Sequence, residues 1–358
     1  MSTVTVSPEV RGSDVTFSVA DPAGDLAGVN LYQEVQRPRL GPAFTLAPDR
    51  KTWLLRFPRP EVDRMEYLLE LVQAGGSAEL TTDPTNPLCA PGPFGEKSVV
   101  RWPEYRAPDW LEGDFEHPRP ILHGAIDCRS LKTSLPVTLW SSYGTAEEEP
   151  LPLLIAHDGP EYAELSKLLM LLDRKTVDGR LPRMRAALIG PVDRNEIYSA
   201  SAVYGRALAQ HVLPWLTRHA PTPAGRRFRI GMGASLGGLA MLHAHRAHPA
   251  SFGALYLQSG SFFRRRFDPH ESGFPRFQRI SRFVGRVLTA EDWVHPVPVT
   301  MTCGAIEENL ANNRAVHDAL SEQGYDVRLI VNRDGHNWVG WRDTLDPHLV
   351  ELLQRAWS

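Results

Sequence analysis

No uninterrupted apolar run in the 358 residues is long enough to cross a bilayer. The first residues, Met1-Ser2-Thr3-Val4-Thr5-Val6-Ser7-Pro8, have neither the basic start nor the apolar stretch of a secretory signal. Cysteine is scarce: Cys89, Cys128 and Cys303 stand far apart and match no metal-binding spacing. They supply no disulfide framework, which fits a reducing compartment. Charge of one sign is also lacking. A formal net charge of -3 argues against a general role on nucleic acid or at a membrane surface. Internal repeats and low-complexity tracts are absent. The expectation is a soluble, cytoplasmic protein with neither nucleic-acid nor membrane partners; a mature secreted chain is the alternative.

What is present is ordinary globular material, 42% hydrophobic and 23% charged, enough for one large domain and a smaller one. Residues 1–105 read as β-rich. Val4-Thr5-Val6, Asp14 to Val19, Val29 to Tyr32, Thr52 to Phe57 and Glu66 to Val72 are short strand candidates separated by Gly, Pro, Asp and Asn, the pattern of a β-sandwich. Ala74-Gly75-Gly76-Ser77 is a hairpin turn. The stretch from Asp83-Pro84-Thr85-Asn86-Pro87 to Pro91-Gly92-Pro93-Phe94-Gly95 is too rich in Pro and Gly for a regular element. Residues 106–120 read as a Pro-rich linker, with Trp102, Tyr105 and Trp110 docking on the domains. From 121 to 358 strands alternate with helices, as in a mostly parallel sheet. Ile121 to Asp127 and Val137 to Ser142 open it as an antiparallel pair. Helices are expected over Tyr162 to Asp173, Ala202 to His219 (kinked or shortened at Pro214), Leu310 to Gln323 and Thr344 to Trp357.

The chain is organised around Gly233-Ala234-Ser235-Leu236-Gly237. Phe228 to Met232 can form a strand, and Leu239 to His248 a helix ended by Pro249. A G-x-S-x-G between strand and helix is a nucleophile elbow. The serine sits at the tip of a tight turn with its Oγ exposed. Glycines two before and two after remove side chains that would collide inside the turn.

An elbow serine needs a base and an orienting acid, which follow it in the order serine, acid, histidine. His336 comes just after the last strand, Asp326 to Val331, where the base belongs. His243, His245 and His248 lie on the elbow helix and read as surface or packing residues. The acid should follow the strand Val297 to Cys303. Glu307 is favoured there; Glu308 is the runner-up, or else caps the helix starting near Leu310. Asp334, two residues from His336, reads as shaping its loop. The oxyanion hole needs two backbone N–H donors. Leu236 supplies one. Gly159, in Asp158-Gly159-Pro160, supplies the other, because Pro160 cannot donate.

These residues together resemble a family. Asp158-Gly159, Asp193-Arg194-Asn195-Glu196, Gly233 to Gly238, and His336-Asn337-Trp338 followed by Trp341-Arg342-Asp343 resemble the esterase-D-like α/β-hydrolases. Within these the chain is similar to the enterochelin esterase group, which hydrolyses ferric trilactone catecholate siderophores. Asp83 to Pro87 followed by Ser98-Val99-Val100 looks like the end of that family's early-set sandwich domain. The resemblance implies an α/β-hydrolase fold behind an N-terminal early-set β-sandwich. It implies a cytoplasmic serine esterase needing neither metal nor cofactor, iron arriving with the substrate. The family varies in its acid, and a Ser-His dyad is the alternative to Glu307. By resemblance Arg194 contacts the acyl or catecholate part; otherwise it pairs with Glu196 or Asp193.

Between Arg264 and Arg286 there are seven arginines against two acids, Asp268 and Glu271. Arg264 and Arg265 head this segment. It reads either as a basic wall beside the elbow that attracts an anionic ferric catecholate, or as a solvated helix face. The competing functions are another acyl hydrolase or acyltransferase, of feruloyl or acetyl-xylan esterase type, and an inactive binding module.

Overall fold

The computed structural model describes residues 8–113, 121–291 and 295–357. It divides into two units. The first holds the chain to Arg106 together with two later loops, Gly304–Glu307 and Arg333–Gly340. The second holds Ala107–Cys303, Glu308–Asn332 and the chain from Trp341 onward.

In the first unit the strands are β1 (Glu9–Arg11), β2 (Asp14–Ala20), β3 (Leu26–Gln33), β4 (Leu40–Ala43), β5 (Thr45–Leu46), β6 (Thr52–Pro58), β7 (Arg64–Gln73), β8 (Ala78–Thr81), β9 (Cys89–Ala90) and β10 (Lys97–Arg101). They form two sheets, β1-β2-β6-β5 and β4-β3-β7-β10-β9, with β8 hairpinned onto β7 through Ala74–Ser77. Alternation explains the core. Val15 and Phe17 on β2, Leu55 and Phe57 on β6, Leu31 on β3, and Tyr67 and Leu69 on β7 are all buried in one cluster between the sheets. The Pro-rich stretch after β8 is tied to this core. Tyr67 donates to Asp83 Oδ2 at 2.8 Å, and Asn86 Nδ2 to the Val99 carbonyl at 2.9 Å. The strand expected at Val4-Thr5-Val6, and residues 114–120 of the linker with Pro118 and Pro120, lie outside the described residues.

The second unit is built on an eight-stranded sheet: β11 (Ile121–Cys128), β12 (Thr133–Ser141), β13 (Leu153–His157), β14 (Arg185–Ile189), β15 (Arg229–Ala234), β16 (Ala254–Gln258), β17 (Val299–Gly304) and β18 (Val327–Asn332). Their order is β11-β12-β14-β13-β15-β16-β17-β18. β11 and β12 enter antiparallel, and β14, β13, β15, β16 and β17 run parallel. β13, β14 and β16 are buried at every position, so their sequences read as continuous runs rather than alternations. Trp110, in the first part of the expected linker, is buried, and Arg174 donates to the Gly113 carbonyl at 2.8 Å.

Helices depart from the expected spans where the backbone breaks its own pattern. The single helix expected over Tyr162 to Asp173 is two, α1 (Gly159–Glu164) and α2 (Leu168–Val177), separated at Lys167, which takes a left-handed φ of 52°. The span 202–219 runs as α4 (Ala202–Ala207), a π turn over Leu208–Val212 and α5 (Leu213–His219), following the short α3 (Arg194–Ile197). Pro214 cannot donate into the helix, and the wider turn just before it absorbs the lost bond. After α6 (Leu236–Ala247), α7 (Phe277–Thr289) turns the arginine-rich stretch into an amphipathic helix that buries Ile280, Phe283, Val284 and Val287. α8 (Leu310–Glu322) lies close to expectation. α9 (Trp338–Asp343) directly follows His336-Asn337, and α10 (Val350–Trp357) is shorter than expected because Asp346 before Pro347 is non-helical.

Candidate active site

The turn from β15 into α6 has the geometry its glycines require. Ser235 has φ 55° and ψ −121°, a conformation that costs a non-glycine residue about 1–3 kcal/mol. A Cβ on Gly233 would lie 2.5–2.6 Å from the Gly237 carbonyl group, so the two glycines of the motif face each other inside the turn. Backbone bonds hold the strain. Ser235 N–H donates to the Gln258 carbonyl at 2.8 Å, and the Ser235 carbonyl accepts from Ser261 and Leu239, each at 3.1 Å. Gln258 is itself locked by Tyr162 Oη at 2.6 Å and by the Trp341 carbonyl at 2.9 Å. Ser235 Oγ lies 3.0 Å from Ser261 Oγ.

Leu236 and Gly159 are the first residues of α6 and α1, so neither N–H has an intrahelical acceptor. Both helices leave the same edge of the sheet from adjacent parallel strands, β15 and β13. Gly159 is required by packing, since a Cβ there would meet Leu188 at 2.4–2.5 Å. Asp158, just before it, takes a left-handed φ of 50° and accepts from Arg194 Nε and a terminal nitrogen, both at 2.8 Å. Burial works against the Arg194 charge, but the Asp158 carboxylate outweighs it and holds the guanidinium above its usual range. Arg194 thus pairs with neither Glu196 nor Asp193, the two ion partners the sequence offered. Asp193 caps α3 through the Glu196 N–H at 3.1 Å, and Glu196 binds Arg276 and Arg279.

His157 carries no motif that marks it in the sequence. It is fully buried at the end of β13. Its Nδ1 donates to the Gly237 carbonyl at 2.9 Å, so its Nε2 accepts from Tyr204 Oη at 2.7 Å. Burial pushes it down to about 4, so the ring is neutral at pH 7. It bridges the strand before Gly159 to the first turn of the elbow helix. The available signal was a lone polar residue closing an otherwise apolar strand.

In the first unit, His336 Nδ1 donates to Glu307 Oε2 at 2.7 Å. The other carboxylate oxygen accepts the Gly304 N–H at 2.6 Å, and the Glu307 side chain is 2% exposed. Gly304 must be glycine, because a Cβ would lie 2.2 Å from the Asp334 carbonyl oxygen. Asp334 shapes the loop, accepting at Oδ1 from the Gly335 N–H and Asn337 Nδ2, both at 2.7 Å. Glu308 belongs to the second unit, where its carboxylate lies 3.3 Å from His270 Nε2. It does not cap α8. Asn309 stands at the cap position, and its side chain holds the Ser259 and Gly260 carbonyls.

The arginines after Ser261 divide into two kinds. Arg264 bonds Asn312 and lies 4.1 Å over the Phe267 ring, and Arg276 and Arg279 clamp Glu196. Arg265 and Arg266 are exposed.

A mixed sheet whose central strand delivers a strained serine onto a helix N-terminus defines an α/β-hydrolase fold. Residues 129–352 match the family described as putative esterase, and the chain belongs to that family. It is 29% identical over 237 residues to the iron(III) enterobactin esterase of Dickeya dadantii, a match covering 62% of this chain and 52% of that protein. The matched stretch therefore spans about half the length of the curated relatives. The fold is that of the ferric enterobactin esterase of Salmonella typhimurium, at a TM-score of 0.79, 21% identity and 98% coverage of both chains. The enterobactin esterase of Shigella flexneri crystallised in the presence of enterobactin has a TM-score of 0.76 and 21% identity, with 97% of this chain and 95% of that one covered. Among the described residues no helix is long and apolar enough to cross a membrane.

Proposed function

We propose that the chain is a serine esterase that opens the ester backbone of a ferric catecholate trilactone and so frees its iron in the cytoplasm. The observation that carries the esterase reading is the strained elbow at Ser235, in a chain of the esterase family. The substrate reading is supported by the similarity to iron(III) enterobactin esterases.

In this reading Ser235 Oγ attacks the ester carbonyl carbon. His336, its Nδ1–H held by Glu307, takes the serine proton at Nε2. The oxyanion of the tetrahedral intermediate is bound by the N–H groups of Leu236 and Gly159. The carbonyl–oxygen bond to the leaving alcohol breaks, and Nε2 returns its proton to that oxygen. Water, deprotonated by the same nitrogen, then attacks the acyl-enzyme; the bond to Ser235 Oγ breaks, Nε2 returns the proton to that oxygen, and the carboxylic acid leaves. Arg194 lines the acyl side through its exposed edge, and Arg264 and Arg265 face the catecholates.

The test is hydrolysis of ferric and iron-free trilactones beside feruloyl and acetyl esters. The reading expects kcat/KM for the ferric trilactone to exceed the simple esters by orders of magnitude. A preference for feruloyl or acetyl esters would overturn the substrate, and no turnover of any ester would overturn the enzyme.

A further inference from the structure

Arg64 opens β7 and is 1% exposed, the most deeply buried arginine among the described residues. Its guanidinium makes three bonds. One terminal nitrogen donates to Asp334 Oδ2 at 3.1 Å and Asn337 Oδ1 at 2.8 Å, and the other to Glu66 Oε1 at 2.7 Å. Burial opposes its charge, and Asp334 and Glu66 outweigh burial, so the charge is held firmly. Asn337 Oδ1 also accepts the Gly340 N–H at 2.7 Å, which starts α9. The residue before Arg64 grips the same loop at its other end. Asp63 N–H donates to the Arg333 carbonyl, and Arg333 Nε to Asp63 Oδ1, both at 2.9 Å.

Residues 333–340, with His336 in their middle, are therefore fixed by Arg64, which opens one sandwich strand, and by Asp63 just before it. Of the bonds around His336, the Arg64 set is the one whose loss leaves a carboxylate, Asp334, buried without its cation. The freed carboxylate would have to move toward water, and Asn337 and the backbone of Gly335 would move with it. His336 lies between them.

We infer that Arg64 is a positioning residue for the base. It fixes the imidazole of His336 on Glu307 through Asp334 and Asn337, so the N-terminal sandwich contributes to catalysis as well as to folding. This rests on His336 being the base. Arg64 lies 270 residues from Asp334 in sequence, which is why neither neighbourhood reveals the other.

The experiment uses the full chain and four variants: Arg64→Met, Arg64→Lys, Asp334→Asn, and the Arg64→Met/Asp334→Asn double. Leu69→Ala, in the core of the same sandwich, controls for lost stability. Readouts are kcat and KM for a p-nitrophenyl ester, fluorophosphonate labelling of Ser235, the thermal midpoint, and the His336 Nδ1 proton resonance, identified by its loss in Glu307→Gln. Arg64→Met should lower kcat and the labelling rate about 10- to 100-fold with KM within about twofold, and should broaden or shift that resonance. Arg64→Lys should recover part of the loss, and the double variant should fall no further than Arg64→Met. Leu69→Ala should lose thermal midpoint and keep kcat. The inference is overturned if Arg64→Met keeps kcat, if Leu69→Ala loses as much kcat at an equal midpoint, or if the two substitutions add. Were the wild type itself neither to label nor to turn over, the esterase reading would fall. The resonance would then decide on Arg64 alone: unchanged in Arg64→Met, it overturns the positioning role.

Discussion

The imidazole of His336 bonds Glu307 at 2.7 Å while the Gly304 N–H holds the second carboxylate oxygen at 2.6 Å. Both oxygens are thus directed, and a glutamine at 307 that accepts from Gly304 turns its NH2 toward Nδ1, which leaves the ring proton on Nε2 where the base must be free. Glu307→Gln should lower kcat about 10²- to 10⁴-fold with little change in KM. Glu308→Gln should change kcat by less than about twofold, since its carboxylate lies beside His270. Steady-state kinetics on any turned-over ester decides. A silent Glu307→Gln would leave a Ser-His dyad.

Ser235→Ala should remove turnover by about 10³-fold or more, and fluorophosphonate labelling with it. The elbow should persist, because its backbone bonds to Gln258 and Ser261 do not involve the hydroxyl. A circular-dichroism melt within a few degrees of wild type, together with lost activity, is the expected pair of results.

Arg194→Met should destabilise the second unit, because the Asp158 carboxylate, 2% exposed, loses its bidentate partner. Breaking one side of a buried ion pair typically costs about 3–5 kcal/mol; the partly exposed arginine places the expected loss below that range, at about 2–3 kcal/mol. Asp158→Asn combined with Arg194→Met should recover part of it. Urea unfolding measures both. Stability unchanged in Arg194→Met would make the arginine a substrate contact alone.

Arg265 and Arg266 are exposed, whereas Arg264 is held against Asn312 and the Phe267 ring, so the first two can be replaced without disturbing packing. For an anionic ferric catecholate kcat/KM should fall as salt is raised, because screening acts over about 8 Å at physiological ionic strength. Replacing both with glutamine should flatten that slope and leave a neutral ester unaffected. Equal salt slopes for the two substrates would make these arginines a solvated face.

Burial pushes His157, His243 and His245 down to about 4 from 6.5. Between those values the unfolded chain binds more protons than the folded one. Stability from these rings is therefore complete above about pH 6.5 and is lost as pH falls toward 4, by up to about 1.4 kcal/mol per pH unit for each ring. His157→Gln should reduce the slope of unfolding free energy against pH by about one proton across that window. Urea midpoints from pH 7 to 4.5 check it; an unchanged slope would mean that His157 is charged in the fold.

The elbow was fully legible in the sequence, because its chemistry is local. Two glycines, a serine and the change from strand to helix lie within a dozen residues, and the clash a Cβ would cause at Gly233 acts between positions four apart. The inner strands β13, β14 and β16 were legible for a similar reason, since burial on both faces writes itself as apolar runs. Local spacing also favoured Glu307 over Glu308, because it counts residues from the glycine that ends β17. Other features are fixed by contacts that sequence distance conceals. The left-handed turn at Lys167 divides a helix whose periodicity looks continuous. Arg194 takes Asp158, 36 residues away, over the acids beside it, because the sheet brings the ends of β13 and β14 together. Arg64 reads as an ordinary strand charge until folding puts it against Asp334 and Asn337. A buried charge is tolerated only where partners surround it, and which partners those are is decided by the tertiary structure alone.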